Sequence, residues 1–219
     1  MSTTGSDVEI PSEAAAVARR YHRLERASSS AMAVLVASVV GLAILFFPLL
    51  IGLLVALVVI AMFRIPLFRS SGKIQLTSNA APATVVAEFE SATPPVLVLQ
   101  WGIADSIHPT PDGATYDFSY LFGLRSVSME TKISSVTPVD NGSATELTLD
   151  ITTNGQPWAT YRITIHEPET ETVVDVELIP ERRFGLRRLP QWLVASYYRT
   201  DALSAQGYKV VERDESFSL

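Results

Sequence analysis

The sequence predicts an α+β protein in which an N-terminal transmembrane helical hairpin precedes an antiparallel β-meander wrapped on a long C-terminal helix. Three observations carry the prediction: an uncharged apolar run with a proline at its midpoint, a series of period-two segments joined by tight turns, and an amphipathic stretch near the C-terminus. Bulk composition conceals this division. Of 219 residues, 47% are hydrophobic and 18% charged, and the mean hydropathy of +0.24 is high for a chain with so many charges. The excess comes from one place. Between Ala31 and Phe63 there is no ionisable side chain, and only Ser38, Gly41, Pro48 and Gly52 are not hydrophobic. The chain has no cysteine, which excludes a disulfide scaffold, a cysteine nucleophile and any thiolate metal or Fe–S site.

Residues 1–26 form the first region. Met1–Ile10 is polar and small, a composition that favours disorder. Pro11–Arg26 reads as a helix with proline in its first turn and basic residues in its last turns. It is expected to be a solvated lead-in whose Arg19, Arg20, Arg23 and Arg26 meet anionic headgroups. Residues 27–67 are the membrane region. One helix over the uncharged run would rise about 50 Å against a hydrocarbon core of about 30 Å, and Pro48 interrupts it near the middle. Two spans, Ala27–Phe46 and Leu49–Leu67, turning at Phe46-Phe47-Pro48, are favoured over one steeply tilted span. Basic residues flank both ends, with Arg64, Arg69 and Lys73 following the run. The positive-inside bias then makes a two-pass protein of the cell membrane, its soluble domain cytoplasmic. Ala33, Ala37 and Gly41, and likewise Gly52 and Ala56, stand four residues apart and suit close helix packing. The run is too long for a signal peptide, and no A-x-A cleavage site follows it.

Residues 72–219 form the third region, with 11 Lys+Arg against 19 Asp+Glu, a net charge of −8. That balance disfavours nucleic acid as a partner. With 14 arginines to three lysines in the whole chain, the composition resembles that of halophilic archaea. Lys73–Thr77 reads as a strand, and Pro82–Ser91 as a short helix with Val85, Val86 and Phe89 on one side. Periodicity leaves Pro94–Trp101 open between a strand and a buried turn of helix. Strands follow in series. Thr115–Phe122 aligns Tyr116, Phe118 and Tyr120; Arg125–Thr137 aligns Val127, Met129 and Ile133; Ala144–Thr153 aligns Leu147, Leu149 and Ile151. Trp158–His166 aligns Tyr161, Ile163 and Ile165, and Val173–Ile179 aligns Val174, Val176 and Leu178. The links Pro111-Asp112-Gly113, Asp140-Asn141-Gly142, Asn154-Gly155 and Glu167-Pro168-Glu169 are turn sequences, short enough to force antiparallel neighbours. Leu189–Gln206 is the closing helix, with Pro190 in its first turn and Gly207 as its stop. Its stripe of Trp192, Leu193, Ser196, Tyr197, Thr200 and Leu203 is expected to cover the concave face of the meander. Tyr208–Arg213 reads as a last edge strand.

Through Lys73-Ile-Gln-Leu-Thr77, the Ala81-Pro82 helix start and the Leu189-Pro-Gln-Trp-Leu193 helix entry, this order resembles the helix-grip fold of the START and polyketide-cyclase-like (SRPBCC) superfamily. The segment Arg64-Ile-Pro-Leu-Phe-Arg69-Ser-Ser-Gly between hairpin and domain is similar to membrane proteins of the haloarchaeal type. The resemblance implies a hydrophobic cavity between helix and sheet for lipids or polycyclic apolar molecules, with catalysis in a minority of members. The second short helix usual in the superfamily is reduced here, near residues 94–107, to one turn at most.

Candidate site residues follow from these placements. Trp101, Phe118, Tyr120, Trp158, Tyr161, Trp192 and Tyr197 are expected near the grip, as a ligand-cavity lining or as plain core. Ser196, Thr200 and Ser204 place small hydroxyls where a solid core would carry leucine, which favours the cavity. Arg182, Arg183, Arg187 and Arg188 read as a membrane-surface contact or as a solvated loop pairing with Glu177 and Glu181. Asp105, His108 and Asp117 could meet as acid–base groups. His108 and Asp112 lie in a loop with two prolines, where helical ligand geometry fails. Asn141-Gly-Ser143 matches a glycosylation acceptor, which in a cytoplasmic domain is only a turn. There is no phosphate-binding glycine loop and no nucleophile elbow, so no motif assigns a catalytic residue, a metal or a cofactor. The expected function is a membrane-anchored binding module for a lipid or other apolar small molecule, with membrane lipids as partners. The alternatives are a membrane-tethered interaction or regulatory scaffold with a solid core, and an enzyme of cyclase or hydrolase type.

Overall fold

Alternating apolar positions from Ile74 to Val210 build one antiparallel sheet, here in a computed structural model that describes residues 11–120, 124–139, 142–167 and 170–218. The expectations for Met1–Ile10, for 121–122 at the end of one strand, and for the turn residues 140–141 and 168–169 lie outside the described residues. In chain order the elements are α1 (Ser12–Phe46), α2 (Leu49–Arg64), β1 (Arg69–Ser78), α3 (Pro82–Glu90), a 3-10 turn (Pro95–Leu97) and α4 (Val98–Trp101). Then come β2 (Ser106–Thr110), β3 (Gly113–Tyr120), β4 (Arg125–Val139), β5 (Ala144–Thr153), β6 (Gln156–His166) and β7 (Thr172–Pro180). A 3-10 turn (Leu186–Arg188), α5 (Leu189–Ser204) and β8 (Tyr208–Ser218) end the chain. The spatial strand order is β2-β3-β4-β5-β6-β7-β1-β8, antiparallel throughout.

Period two decides the two faces of the sheet. Ile74, Leu76, Tyr116, Phe118, Leu147, Leu149, Ile151, Tyr161, Ile163, Val174 and Val176 are buried on the inner face. The outer face carries cross-strand polar pairs: Glu177 binds Lys73 at 3.2 Å and Arg162 at 3.0 Å, while Asp175 meets Gln75 at 2.9 Å and His166 at 3.0 Å. A bulge between Ile133 and Ser135 shifts the β4 register. The buried Thr131 hydroxyl accepts from the Ala114 N–H at 3.0 Å and donates to the Ala114 carbonyl at 3.1 Å.

Two strands extend the expected set. The Pro-containing stretch around His108, expected as a loop, is the edge strand β2. An edge tolerates Pro109 because one side needs no donor. At the other edge, β8 runs five residues past Arg213, along all of β1. The open choice at Pro94–Trp101 resolves as one 3-10 turn and one turn of helix.

α1 crosses position 26 without a break. Its first half packs on α4 and α5, burying Ala14, Ala18 and Tyr21, so the expected solvated lead-in is a docked helix. A Cβ on Gly102 would stand 2.5 Å from the Ala18 Cβ, a measure of how closely α1 and the end of α4 approach. Beyond residue 26, α1 is long and apolar enough to cross a membrane, and only 6% of its most apolar stretch is buried. Most of this stretch is exposed, unlike the core helix of a soluble protein. The shorter apolar helix α2 begins after the Phe47–Pro48 break and touches α1 at Gly52, where a Cβ would lie 2.8 Å from the Ala43 carbonyl oxygen.

Candidate functional site

A slot runs under α5 along β1, β7 and β6. Two adjoining clefts compose it, of about 290 and 510 Å³ including space open to solvent, and both are lined by Ile74, Tyr161, Val176 and Arg199. One end is bounded by Ser70, Ser71 and Gly72 of β1, Leu178 of β7 and Trp192 of α5. At the other end stand Leu76, Ala195 and Leu203, with Val98 and Leu99 of α4 and Tyr21 of α1. The sheet supplies its wall by strand alternation, and α5 lies over it because Gly207, at φ +86°, turns the chain back into β8. The walls are mainly apolar, with Ser70, Ser71, Tyr21, Gln100 and Arg199 as their polar members. Such a slot suits a slim apolar molecule with one polar head.

The sequence-derived residues fall in several places. Tyr161 and Trp192 line the slot. Trp101 is buried beside it, its Nε1 donating to the Pro94 carbonyl at 3.0 Å. Phe118 is buried on the inner face and Trp158 is half-buried against the same core. Tyr120 is 39% exposed at the end of β3, and desolvation, then the Glu25 carboxylate, raise its pKa. On α5 the expected stripe faces inward only in part: Leu203 is buried and Trp192 lines the slot. Leu193, Tyr197 and Thr200 are exposed, Tyr197 to 75%, whereas Val194, Ala195, Tyr198 and Ala202 pack against the core. Helix α5 is covered by α1 as well as by the sheet, and the side chains at those contacts are the smaller ones. Ser196 faces β8, where the Arg213 guanidinium donates to its hydroxyl and, at 2.8 Å, to its carbonyl. Its hydroxyl therefore has a partner on the strand side.

Sequence reasoning missed Arg199, Ala195 and Tyr21. The first two lie off the expected stripe, and Tyr21 belongs to a helix read as solvated. The Tyr21 hydroxyl hydrogen-bonds with Glu25 and with Gln191 of α5, joining the two helices at the slot's rim. The spacing of Ala14, Ala18 and Tyr21, at i, i+4 and i+7 on one helix face, was the available signal.

His108 and Asp117 approach to 3.4 Å, and Asp117 also accepts from the Ser106 hydroxyl at 3.3 Å. Asp105 accepts from the Ser119 N–H. All are partly exposed on the β2–β3 edge, at the far end of the strand order from the slot. Their hydrogen bonds hold the hairpin. Arg182, Arg183, Arg187 and Arg188 are exposed on the approach to α5. Partial desolvation, then the neighbouring Arg187 and Arg182, lower the Arg188 pKa.

No family model and no curated protein matches the chain. Among solved structures, a START superfamily protein from Mycobacterium smegmatis is 14% identical, with a TM-score of 0.39 over 64% of this chain and 97% of that one. A protein from Rhizobium leguminosarum is 12% identical (TM-score 0.35; 62% and 93% covered), and Ara h 8.0201 is 13% identical (TM-score 0.34; 63% and 94% covered). The observed topology, an open antiparallel sheet with two short helical segments after β1 and a long helix near its C-terminus, is consistent with a helix-grip domain.

Proposed function

We propose that the protein is a two-pass membrane protein whose cytoplasmic helix-grip domain holds a lipid or other apolar small molecule in the slot under α5. The observation that carries this reading is that Tyr21, at one end of the slot, belongs to the same unbroken helix that continues as the apolar segment. The slot thus lies at the helix that leads to the apolar segment, set off from it by the polar turns 22–30. Residues 27–46 of α1 rise about 30 Å, the thickness of the hydrocarbon core. Pro48 would start the return, and the arginines at both flanks support both ends lying on the inner side. The acidic, lysine-poor composition fits a haloarchaeal-type protein working in high salt.

The narrowness of the clefts favours a second reading, the membrane-tethered interaction scaffold with a filled core. Native mass spectrometry of the full chain, released from its membrane in mild detergent, separates the two. A ligand module retains one apolar molecule that solvent extraction recovers. Ala195→Phe, which fills the slot, loses that molecule with an unchanged circular dichroism spectrum. A wild-type chain carrying nothing, while holding a second membrane protein, overturns the ligand reading.

A further inference from the structure

We infer that Arg182, Arg183, Arg187 and Arg188, with Arg64 and Arg69, form a basic collar that seats the domain on the anionic phospholipid headgroups of the bilayer entered by α1 and α2. The inference rests on the membrane-anchored reading above and adds to it a second, electrostatic contact that sets the domain's orientation.

Position is the first argument. The loop carrying the four arginines is joined to the chain leaving α2. The Phe184 N–H donates to the Phe68 carbonyl at 2.7 Å, and the Phe68 N–H donates to the Phe184 carbonyl at 2.9 Å. A Cβ on Gly185 would lie 2.9 Å from the Ile65 carbonyl oxygen and 3.0 Å from that of Phe63. The run therefore sits against the last turn of α2, at the level where an apolar helix gives way to polar chain. Arg64 is the last residue of α2 and Arg69 the first of β1.

Charge is the second argument. Residues 72–219 carry a net −8, yet four of their eleven basic groups fall within these seven residues. Among the described residues, none of the six arginines forms an ion pair within 4.0 Å. Of the two partners expected for them in a solvated loop, Glu177 is engaged by Lys73 and Arg162 instead, and Glu181 forms no ion pair within 4.0 Å among the described residues. Like charges gathered without counter-charge at a membrane boundary match a surface of phosphates, to which arginine presents planar bidentate donors. An acidic domain also repels that surface over most of its area, so the collar selects one orientation.

The chain has no cysteine, so Leu186→Cys carries a single environment-sensitive NBD fluorophore in the middle of the run. The labelled full-length protein is reconstituted in phosphatidylcholine vesicles with and without phosphatidylglycerol. The emission is expected to shift to the blue only in the anionic vesicles. Molar salt, which shortens the screening length to about 3 Å, reverses the shift, and replacing the four loop arginines with glutamine abolishes it. Flotation of the protein with both vesicle types reports anchoring independently. Protein that floats with both yet emits identically in both overturns the collar and leaves the anchor standing, as does a shift that survives the glutamine substitutions. Protein that fails to float overturns the membrane reading itself.

Discussion

Tyr116 shows how one buried hydroxyl ties the fold to pH. It is fully buried, donates to the Ala92 carbonyl at 2.9 Å, and burial pushes its pKa up to about 12. In an unfolded chain the phenol titrates near 10. A group whose folded pKa is raised holds its proton longer in the native state. Its contribution to stability is thus complete below pH 10 and is lost as pH rises from 10 to 12, at about 1.4 kcal/mol per pH unit. Tyr208, raised by desolvation and by its hydrogen bond to Glu88, steepens the loss at higher pH. Urea unfolding across this window is expected to show falling stability, with Tyr116→Phe falling less steeply by the equivalent of one proton. Equal slopes would remove the assignment. At this scale the sequence was legible for side-chain class and face: Tyr116 and Phe118 were placed inward, and both are buried. It was not legible for partners. Nothing in the spacing of Ser196 and Arg213 says that they meet, because their approach depends on where β8 lies beside α5.

Helix α1 is the element whose role changes most. Read alone, residues 11–26 are a polar helix with three consecutive alanines, and alanine is the best helix former. In the fold those alanines are the contact, since small side chains let α1 lie close on α4 and α5. Gly102 has right-handed helical dihedrals that any residue adopts, so its small size serves space alone. Gly102→Val is expected to push α1 outward and to lower stability by about 1–3 kcal/mol in chemical denaturation. Hydrogen exchange should then show lost protection at residues 14–21 with β5 and β6 still protected. An unchanged unfolding midpoint would mean that α1 contributes nothing to the domain. The same contact explains why only part of the α5 stripe faces inward. A periodicity stripe assumes one buried side, whereas α5 has two, and Leu193 and Tyr197 are left outside both.

For the whole molecule, on the membrane-anchored reading proposed above, the decisive quantity is which side of the bilayer holds the domain. Arginines flank the apolar run at both ends, and the loop at 182–188 adds four more at the same level. Both ends are therefore expected inside. Thr170→Cys, exposed before β7 in a chain without native cysteine, tests it. A membrane-impermeant maleimide should label inside-out vesicles and leave intact cells unlabelled; labelling of intact cells reverses the topology. Strand count was less legible at this scale. β2 hides behind Pro109, and the length of β8 follows from the neighbour β1 offers rather than from its own alternation.

By itself the sequence determined the elements that depend on local periodicity and composition: the uncharged run with its proline break, the inner faces of β3, β5, β6 and β7, and the turns at Pro111-Asp112-Gly113 and Asn154-Gly155. Those properties follow from residues a few positions apart, within reach of one helical turn or one pleat. Only the tertiary structure decided what lies against what: α1 on α5, the arginine loop against the end of α2, and Arg199 in the slot with Tyr161 and Trp192. Such pairings join residues far apart in sequence, and their energies depend on shape and burial that no local pattern encodes.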